Sequence, residues 1–224
     1  MERKVKVSPS IIAIDFTDDK KITDAVKVLK DAKVELLHLD VMDGKFVPEK
    51  TFDEEFVRKM HNETDFILDT HLMIDSPESV IDKYIEAGAD ILTVHYESTN
   101  NLEALLKKIK SKGLLAGVSI KLDTHIEVLI PYLKSKLIDV ILVMSVEPGA
   151  CGRPFDERVL NKISALREIS PKVDIEVDGG INLSNIEAVV DAGANIVVSG
   201  SAIFKSCNPV QTIKDMKNYR SKVR

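Results

Sequence analysis

Asp191-Ala192-Gly193-Ala194-Asn195-Ile196-Val197-Val198-Ser199 reads as the end of a helix, a glycine turn and a short β-branched strand. Gly193 can take the left-handed conformation that ends a helix. Glu86-Ala87-Gly88-Ala89-Asp90-Ile91-Leu92-Thr93-Val94-His95 repeats the pattern. Outward from these two segments the whole chain shows one rhythm. Short apolar runs predict strands at Val5–Ala13, Leu36–Met42, Phe66–Met73, Ile91–His95, Leu114–Ile120, Val140–Val146, Asp174–Asp178 and Asn195–Ser199. Amphipathic stretches predict helices at Asp24–Lys33, Pro77–Ala87, Leu102–Lys112, Asp156–Ile169, Leu183–Ala192 and Pro209–Tyr219. Asp53–His61 and His125–Lys134 carry weaker helical patterns, the latter containing Pro131. Pro77 and Pro209 suit first helical turns, with Ser76 and Asn208 as N-caps. Eight strands alternate with eight helices, at the spacing of βα units. The fold class is therefore α/β, a single-domain (β/α)8 TIM barrel spanning residues 1–224. A doubly wound open sheet is the rival. It lacks support because Ser8-Pro9-Ser10 stands where a G-x-G-x-x-G turn would follow the first strand.

Composition agrees. The 224 residues are 44% hydrophobic, enough for a sizeable core and too apolar for a disordered chain. The longest apolar run, Val140–Met144, falls far short of the roughly 18 residues of a membrane span. No apolar stretch follows the charged residues 2–6, so no secretory leader is expected, and a cytoplasmic location is the default. Cys151 and Cys207 alone make neither a disulfide framework nor a thiolate zinc site. The net charge of −5, spread over 31 basic and 36 acidic residues, offers no nucleic-acid or membrane footprint.

Barrel sites form at the carboxyl ends of strands, and polar residues interrupt the strands there. His38, Asp40 and Met42 alternate on one face of the second strand, as do Asp69, His71 and Met73 on the third. The sixth strand carries Met144 near its end, the seventh Glu176 and Asp178. A strand buried on both faces should be nearly continuous Val, Ile and Leu. Buried His and Asp need hydrogen bonds, charge pairing or a metal. A structural network is one reading of His38, Asp40, His71 and Asp178. Four such groups at strand ends are also a competent set for one divalent transition metal. Zinc, ferrous iron, manganese and cobalt all remain open, whereas imidazoles argue against magnesium or calcium. Met42, Met73 and Met144 read as flexible core filler or as a water-poor lining. Glycines follow the sixth strand (Pro148-Gly149-Ala150-Cys151-Gly152-Arg153-Pro154), the seventh (Gly179-Gly180) and the eighth (Gly200-Ser201). Turns after strands seven and eight fit a phosphate held by backbone N–H groups. His61 and His125 read as solvated helical residues, and His95 as either structural or a support for the site. Cys151 reads as a small loop residue or a reactive thiol.

Leu37-His38-Leu39-Asp40-Val41-Met42-Asp43-Gly44-Lys45-Phe46-Val47-Pro48 resembles the second-strand signature of the ribulose-phosphate 3-epimerase family. Ser8-Pro9-Ser10, His71-Leu72-Met73, Glu176-Val177-Asp178-Gly179-Gly180 and Gly200-Ser201-Ala202-Ile203-Phe204 are similar to its other blocks, in family order from residue 8 to residue 204. The resemblance implies interconversion of D-ribulose 5-phosphate and D-xylulose 5-phosphate in the pentose phosphate pathway. His38, Asp40, His71 and Asp178 would hold one divalent metal, with zinc or ferrous iron ahead of manganese or cobalt. Asp40 and Asp178 would be the acid/base pair, on opposite faces of C3. Ser10 and His71 would contact the sugar. Met42, Met73 and Met144 would line the enediolate side. Gly149, Ala150, Cys151, Gly152, Gly179, Gly180, Gly200 and Ser201 would enclose the phosphate. No organic cofactor is implied, and a homo-oligomer is expected.

The chemistry supports such a set. Inverting C3 removes a proton α to the C2 carbonyl and returns one on the other face, which two carboxylates do without turning the intermediate over. Two loops depart from the family pattern. Lys121-Leu122 replaces an Asn-Pro pair after the fifth strand. Glu147-Pro148-Gly149-Ala150-Cys151-Gly152-Arg153 replaces Asn-Pro-Gly-Phe-Gly-Gly-Gln after the sixth. The Arg153 guanidinium could clamp a phosphate or pair with Asp156 or Glu157. The altered loops also leave room for a six-carbon substrate, as in an allulose 6-phosphate 3-epimerase. Related barrels that decarboxylate or condense use Asp-x-Lys-x-x-Asp at the third strand, and Asp69-Thr70-His71-Leu72-Met73-Ile74 lacks the Lys and the second Asp. A non-catalytic sugar-phosphate binding protein would need neither paired carboxylates nor a metal.

Overall fold

The seven residues of β2 (Leu36–Met42) are all buried, yet two of them are His38 and Asp40. The strand pattern explains this. Leu37, Leu39 and Val41 turn to a layer of helices, and Leu36, His38, Asp40 and Met42 turn the other way, into a barrel. In the computed structural model, which describes residues 4–149 and 152–220, the other strands are β1 (Lys6–Pro9), β3 (Ile67–Met73), β4 (Ile91–His95), β5 (Leu115–Ile120), β6 (Val140–Met144), β7 (Asp174–Asp178) and β8 (Ile196–Ser199). They form one parallel sheet in the order β1-β8-β7-β6-β5-β4-β3-β2. A single parallel bridge between Ser10 and His38 closes it. The open-sheet alternative is thereby excluded.

The helices are α1 (Asp19–Asp31), α2 (Glu54–Glu63), α3 (Ile81–Glu86), α4 (Leu102–Ser111), α5 (Ile130–Lys134), α6 (Val159–Ile169), α7 (Ile186–Ala192), α8 (Ser201–Phe204) and α9 (Pro209–Lys217). The short α8 was not expected. Several boundaries move for local reasons. The first strand stops at Pro9, where its partner β8 runs out, and Ile11–Ala13 winds into a 3-10 turn. α1 starts five residues early because the Asp18 carboxylate caps Lys20 N–H, a polar first turn without apolar signal. Ser76 does not cap: its backbone is left-handed, and the expected helix there splits into a 3-10 turn (Pro77–Ser79) and α3. Pro131 divides the next weak helix likewise into Ile126–Leu129 and α5, sitting in the first turn of α5. Asn208 caps Gln211 N–H as expected.

The barrel floor is apolar. Leu36, Ile91, Val140 and Ile196, one from each even-numbered strand, pack together as a layer of four. Above them the interior turns polar: Ser8, His38, Asp69, Thr93, Ser119 and Glu176 are all fully buried. Room for these groups is tight. Gly117 on β5 faces Thr93, and an added Cβ would fall within the Thr93 side chain, 3.1 Å from its Cα. Gly117→Ala should therefore destabilise by overpacking, by about 1–3 kcal/mol. Urea unfolding of the variant measures this. A midpoint equal to the parent's would mean that the interior yields where the packing says it cannot.

Candidate active site

The strand register decides which polar residues meet. β2 and β3 place Asp40 beside His71 and Met42 beside Met73. β6 and β7 place Met144 beside Asp178. The closing bridge brings Ser10 to His38, and Ser10 Oγ donates to Asp40 Oδ2 at 2.6 Å. His38 Nε2 and His71 Nδ1 each lie 3.3 Å from Asp40 Oδ1. One ligand atom from each of His38, Asp40, His71 and Asp178 lies within 4.8 Å of all the others. The expected metal set is thus one cluster.

Over this cluster opens a cleft of about 570 Å³ at the carboxyl ends of the strands. Ser10, Asp40, Met42, Met73, Met144, Gly149, Gly152, Asp178, Gly179, Gly180, Gly200 and Ser201 line it. Ala150 and Cys151 lie outside the described residues. His38 and His71 are fully buried and do not line the cleft. Ile12, Val146, Glu147, Ile181, Val198 and Ser199 line it as well, without having been expected. Gly180 has φ +66°, and a Cβ there would meet the backbone of Phe155 at 2.6 Å. Only glycine lets the two loops approach this closely.

Arg153 is exposed and outside the lining. Its expected partner Asp156 pairs with Arg158 instead, at 2.8 Å. The two departures from the family pattern meet at the rim: Lys121 Nζ lies 4.0 Å from Glu147 and 4.8 Å over the Phe46 ring. His61 and His125 are exposed, as expected. His95 is fully buried against Phe46, ring centroids 4.7 Å apart, and touches His71.

A buried network supports the cluster from below. His38 Nδ1 lies 2.7 Å from Asp69 Oδ2, to which Ser8 Oγ also donates at 2.8 Å. Glu176 Oε1 is 3.6 Å from the same ring nitrogen. In the sequence Asp69 and Glu176 read only as polar interruptions of their strands. Their position two residues before His71 and Asp178, on the same strand face, was the available signal.

Charge is divided sharply here. Burial disfavours an ionised Asp40, but the His38 charge and the close approach of the His38 and His71 rings outweigh it and hold the carboxyl well below its usual range. Burial and the Asp40 charge push Asp178 the other way, up to about 6. Burial opposes a charged His38, yet Asp69 and Asp40 raise its proton affinity well above normal. Burial and Asp69 raise Glu176 as well.

The chain matches the model of the Ribulose-phosphate 3 epimerase family over residues 6–204. It is 37% identical to a ribulose-phosphate 3-epimerase of Schizosaccharomyces pombe, covering 96% of this chain and 93% of that protein. The Bacillus subtilis ribulose-phosphate 3-epimerase is 36% identical over 95% and 98% of the two chains. A rice ribulose-phosphate 3-epimerase, named as the cytoplasmic isoform, is 36% identical over 95% and 92%. Among solved structures, 3-hexulose-6-phosphate synthase from Salmonella typhimurium superposes with a TM-score of 0.73 at 16% identity, over 95% and 97% of the chains. A 3-keto-L-gulonate-6-phosphate decarboxylase from Vibrio cholerae gives 0.71 at 17%, over 96% of each. At that identity these two share the fold alone. No helix among the described residues is long and apolar enough to cross a membrane.

The raised Asp178 carboxyl has a consequence for stability. Folding favours its protonated form, so its contribution is full below about pH 4 and is lost as pH rises through about 6. After chelator treatment, Asp178→Asn should be as stable as the parent near pH 4. It should be more stable at pH 7, by at most about 3 kcal/mol, at ~1.4 kcal/mol per pKa unit. Denaturant unfolding across that range checks this, and parallel pH curves for the two proteins would contradict it.

Proposed function

The chain belongs to the ribulose-phosphate 3-epimerase family and is an isomerase, and from that premise we propose that it interconverts D-ribulose 5-phosphate and D-xylulose 5-phosphate by inverting C3. The observation that carries the reading is the pair Asp40 and Asp178. Two carboxylates share one cluster at the cleft floor, and their proton affinities are pushed in opposite directions. Such a split assigns complementary roles to like groups.

In this mechanism Asp40, ionised, takes the C3 proton on one face of the sugar. Asp178 returns a proton on the other face, and the roles exchange in reverse. Ser10 fixes the Asp40 carboxylate through its 2.6 Å bond. Met42, Met73 and Met144 exclude water around the reacting carbons, so the developing charge is not lost to solvent. Backbone N–H groups at Gly179–Gly180 and Gly200–Ser201 receive the phosphate, whose binding energy holds C3 between the carboxylates. Glu147 and Lys121 at the rim would bear on substrate length, which makes a hexulose phosphate the comparison substrate.

A divalent metal is part of the reading, and the residues fit one. His38 Nε2 is buried with no hydrogen-bond partner and faces Asp40 Oδ1. Two imidazoles and two carboxylates form a donor set for zinc or ferrous iron, with manganese or cobalt as further choices. When bound, the ion would supply Lewis-acid stabilisation of negative charge on the C2 and C3 oxygens. No organic cofactor enters the reading. A cytoplasmic homo-oligomer completes it, the location following that of the rice cytoplasmic isoform.

Two measurements test this. Incubated with ribulose 5-phosphate in deuterated solvent, the protein should exchange the C3 proton and form xylulose 5-phosphate, faster than it acts on a hexulose phosphate. No C3 exchange would refute the reaction itself. Chelation should abolish turnover and a divalent transition ion should restore it. Asp40→Asn and Asp178→Asn should each lose more than the ~10²–10⁴ typical of acid–base groups, since each also holds the metal. Full turnover in a demonstrably metal-free preparation would remove the ion from the mechanism and leave the carboxylates.

A further inference from the structure

His71 differs from His38 in what stands behind it. His38 is backed by a carboxylate, whereas His71 is backed by a second imidazole. His71 Nδ1 faces Asp40, and its Nε2 lies 2.9 Å from His95 Nε2. Two imidazole nitrogens at that distance share one proton, so one ring donates and the other accepts. The outer nitrogens of the two rings bear on which. His95 Nδ1 lies 3.2 Å from Glu97 Oε2. Glu97 is an acceptor: its Oε1 takes hydrogen bonds from Lys121 N–H, at 2.9 Å, and from the Thr124 hydroxyl. These bonds and the one from His95 outweigh burial and hold its carboxyl down to about 2. An ionised carboxylate needs a proton on His95 Nδ1. Asp40 stands at the outer nitrogen of His71 as Glu97 stands at that of His95. With a metal in place of a proton on His71 Nδ1, the His71 proton sits on Nε2 and is donated to a bare His95 Nε2. The lone pair of His71 Nδ1 is then directed at the cluster.

We propose that Glu97, acting through His95, is a positioning residue that fixes the His71 tautomer with Nδ1 free to bind the metal. The inference rests on the metal reading above and adds two residues to it. Metal-bound histidines ordinarily donate their second N–H to a carboxylate, carbonyl or water. Here the carboxylate is one ring further away. The arrangement is built to hold. His95 and His71 are fully buried. Phe46 packs on the His95 ring at 4.7 Å. Glu97 sits in a 3-10 turn (Tyr96–Ser98) that directly follows β4, tied back by Ser98 Oγ to the His95 carbonyl at 2.9 Å. The loop after β5 contributes the Lys121 backbone N–H and the Thr124 hydroxyl to Glu97. Without Glu97, His95 could carry its proton on Nε2 and donate to His71. That would place a proton on His71 Nδ1, the position a metal must take.

The test uses 15N-labelled histidine in the full chain, diamagnetic Zn2+ for the spectra and Co2+ as the probe ion for affinity. In the Zn2+-loaded parent, long-range 1H–15N spectra should show His95 protonated at Nδ1 and bare at Nε2, with His71 protonated at Nε2. Glu97→Ala should weaken Co2+ binding by about 10–100-fold. Glu97→Gln keeps an oxygen for the loop contacts but no charge, and should lose less in the same direction. His95→Phe keeps a ring against Phe46 and removes the acceptor. It should weaken Co2+ binding by a comparable factor, and it stands in if Glu97→Ala does not fold. A His95 proton on Nε2 in the Zn2+-loaded parent overturns the relay alone, as does unchanged Co2+ affinity in His95→Phe. If the parent binds neither ion, the metal reading fails and the relay that rests on it falls with it.

Discussion

Asp40 sits on the seam where the barrel closes. Ser10 bridges to the backbone of His38 and donates its hydroxyl to Asp40, so one residue completes the sheet and fixes a carboxylate. The inside of an eight-stranded barrel holds only a few side chains per layer, and a polar one there is costly unless it finds a partner. That constraint organises the rest. The floor of Leu36, Ile91, Val140 and Ile196 is apolar and asks for no partner. Higher up, Ser8 and His38 both meet Asp69 Oδ2, and Gly117 leaves room for the Thr93 side chain.

The same confinement separates the two carboxylates. Asp40 faces two imidazoles and stays ionised, while Asp178 faces Asp40 and holds its proton to about pH 6. Neither effect would survive in water, where a charge at these distances is screened. The interior is therefore costly as a core and useful as a site, a conflict that folded proteins tolerate where function requires it. The rim obeys different physics. Lys121 and Glu147 are partly exposed, and an ion pair of that kind contributes at most about 1 kcal/mol. Lys121 stands over the Phe46 ring at the mouth.

Much of this was legible in the chain. Runs such as Leu36–Met42, Ile91–His95 and Asp174–Asp178 coincide with strands because β-branched and apolar runs act locally. Polar alternation in β2 and β3 pointed to the interior for the same reason. Helix starts were harder: α1 begins in a charged turn that only the Asp18 cap identifies, and Pro131 splits a helix that periodicity joins.

The sequence by itself determined the order of strands and helices, the strand ends that carry His38, Asp40, His71 and Asp178, and the glycine turns beside them. Those are properties of neighbours along the chain: periodicity, branching and backbone freedom. Only the tertiary structure decided which nitrogen of each histidine is engaged and by what. Asp69 meets His38 across 31 residues, and His95 meets His71 across 24. Glu97 lies beyond the strand, in a turn whose spacing carries no periodic signal. Such contacts depend on inter-strand register and barrel curvature, which are set when the sheet closes and are written in no single segment.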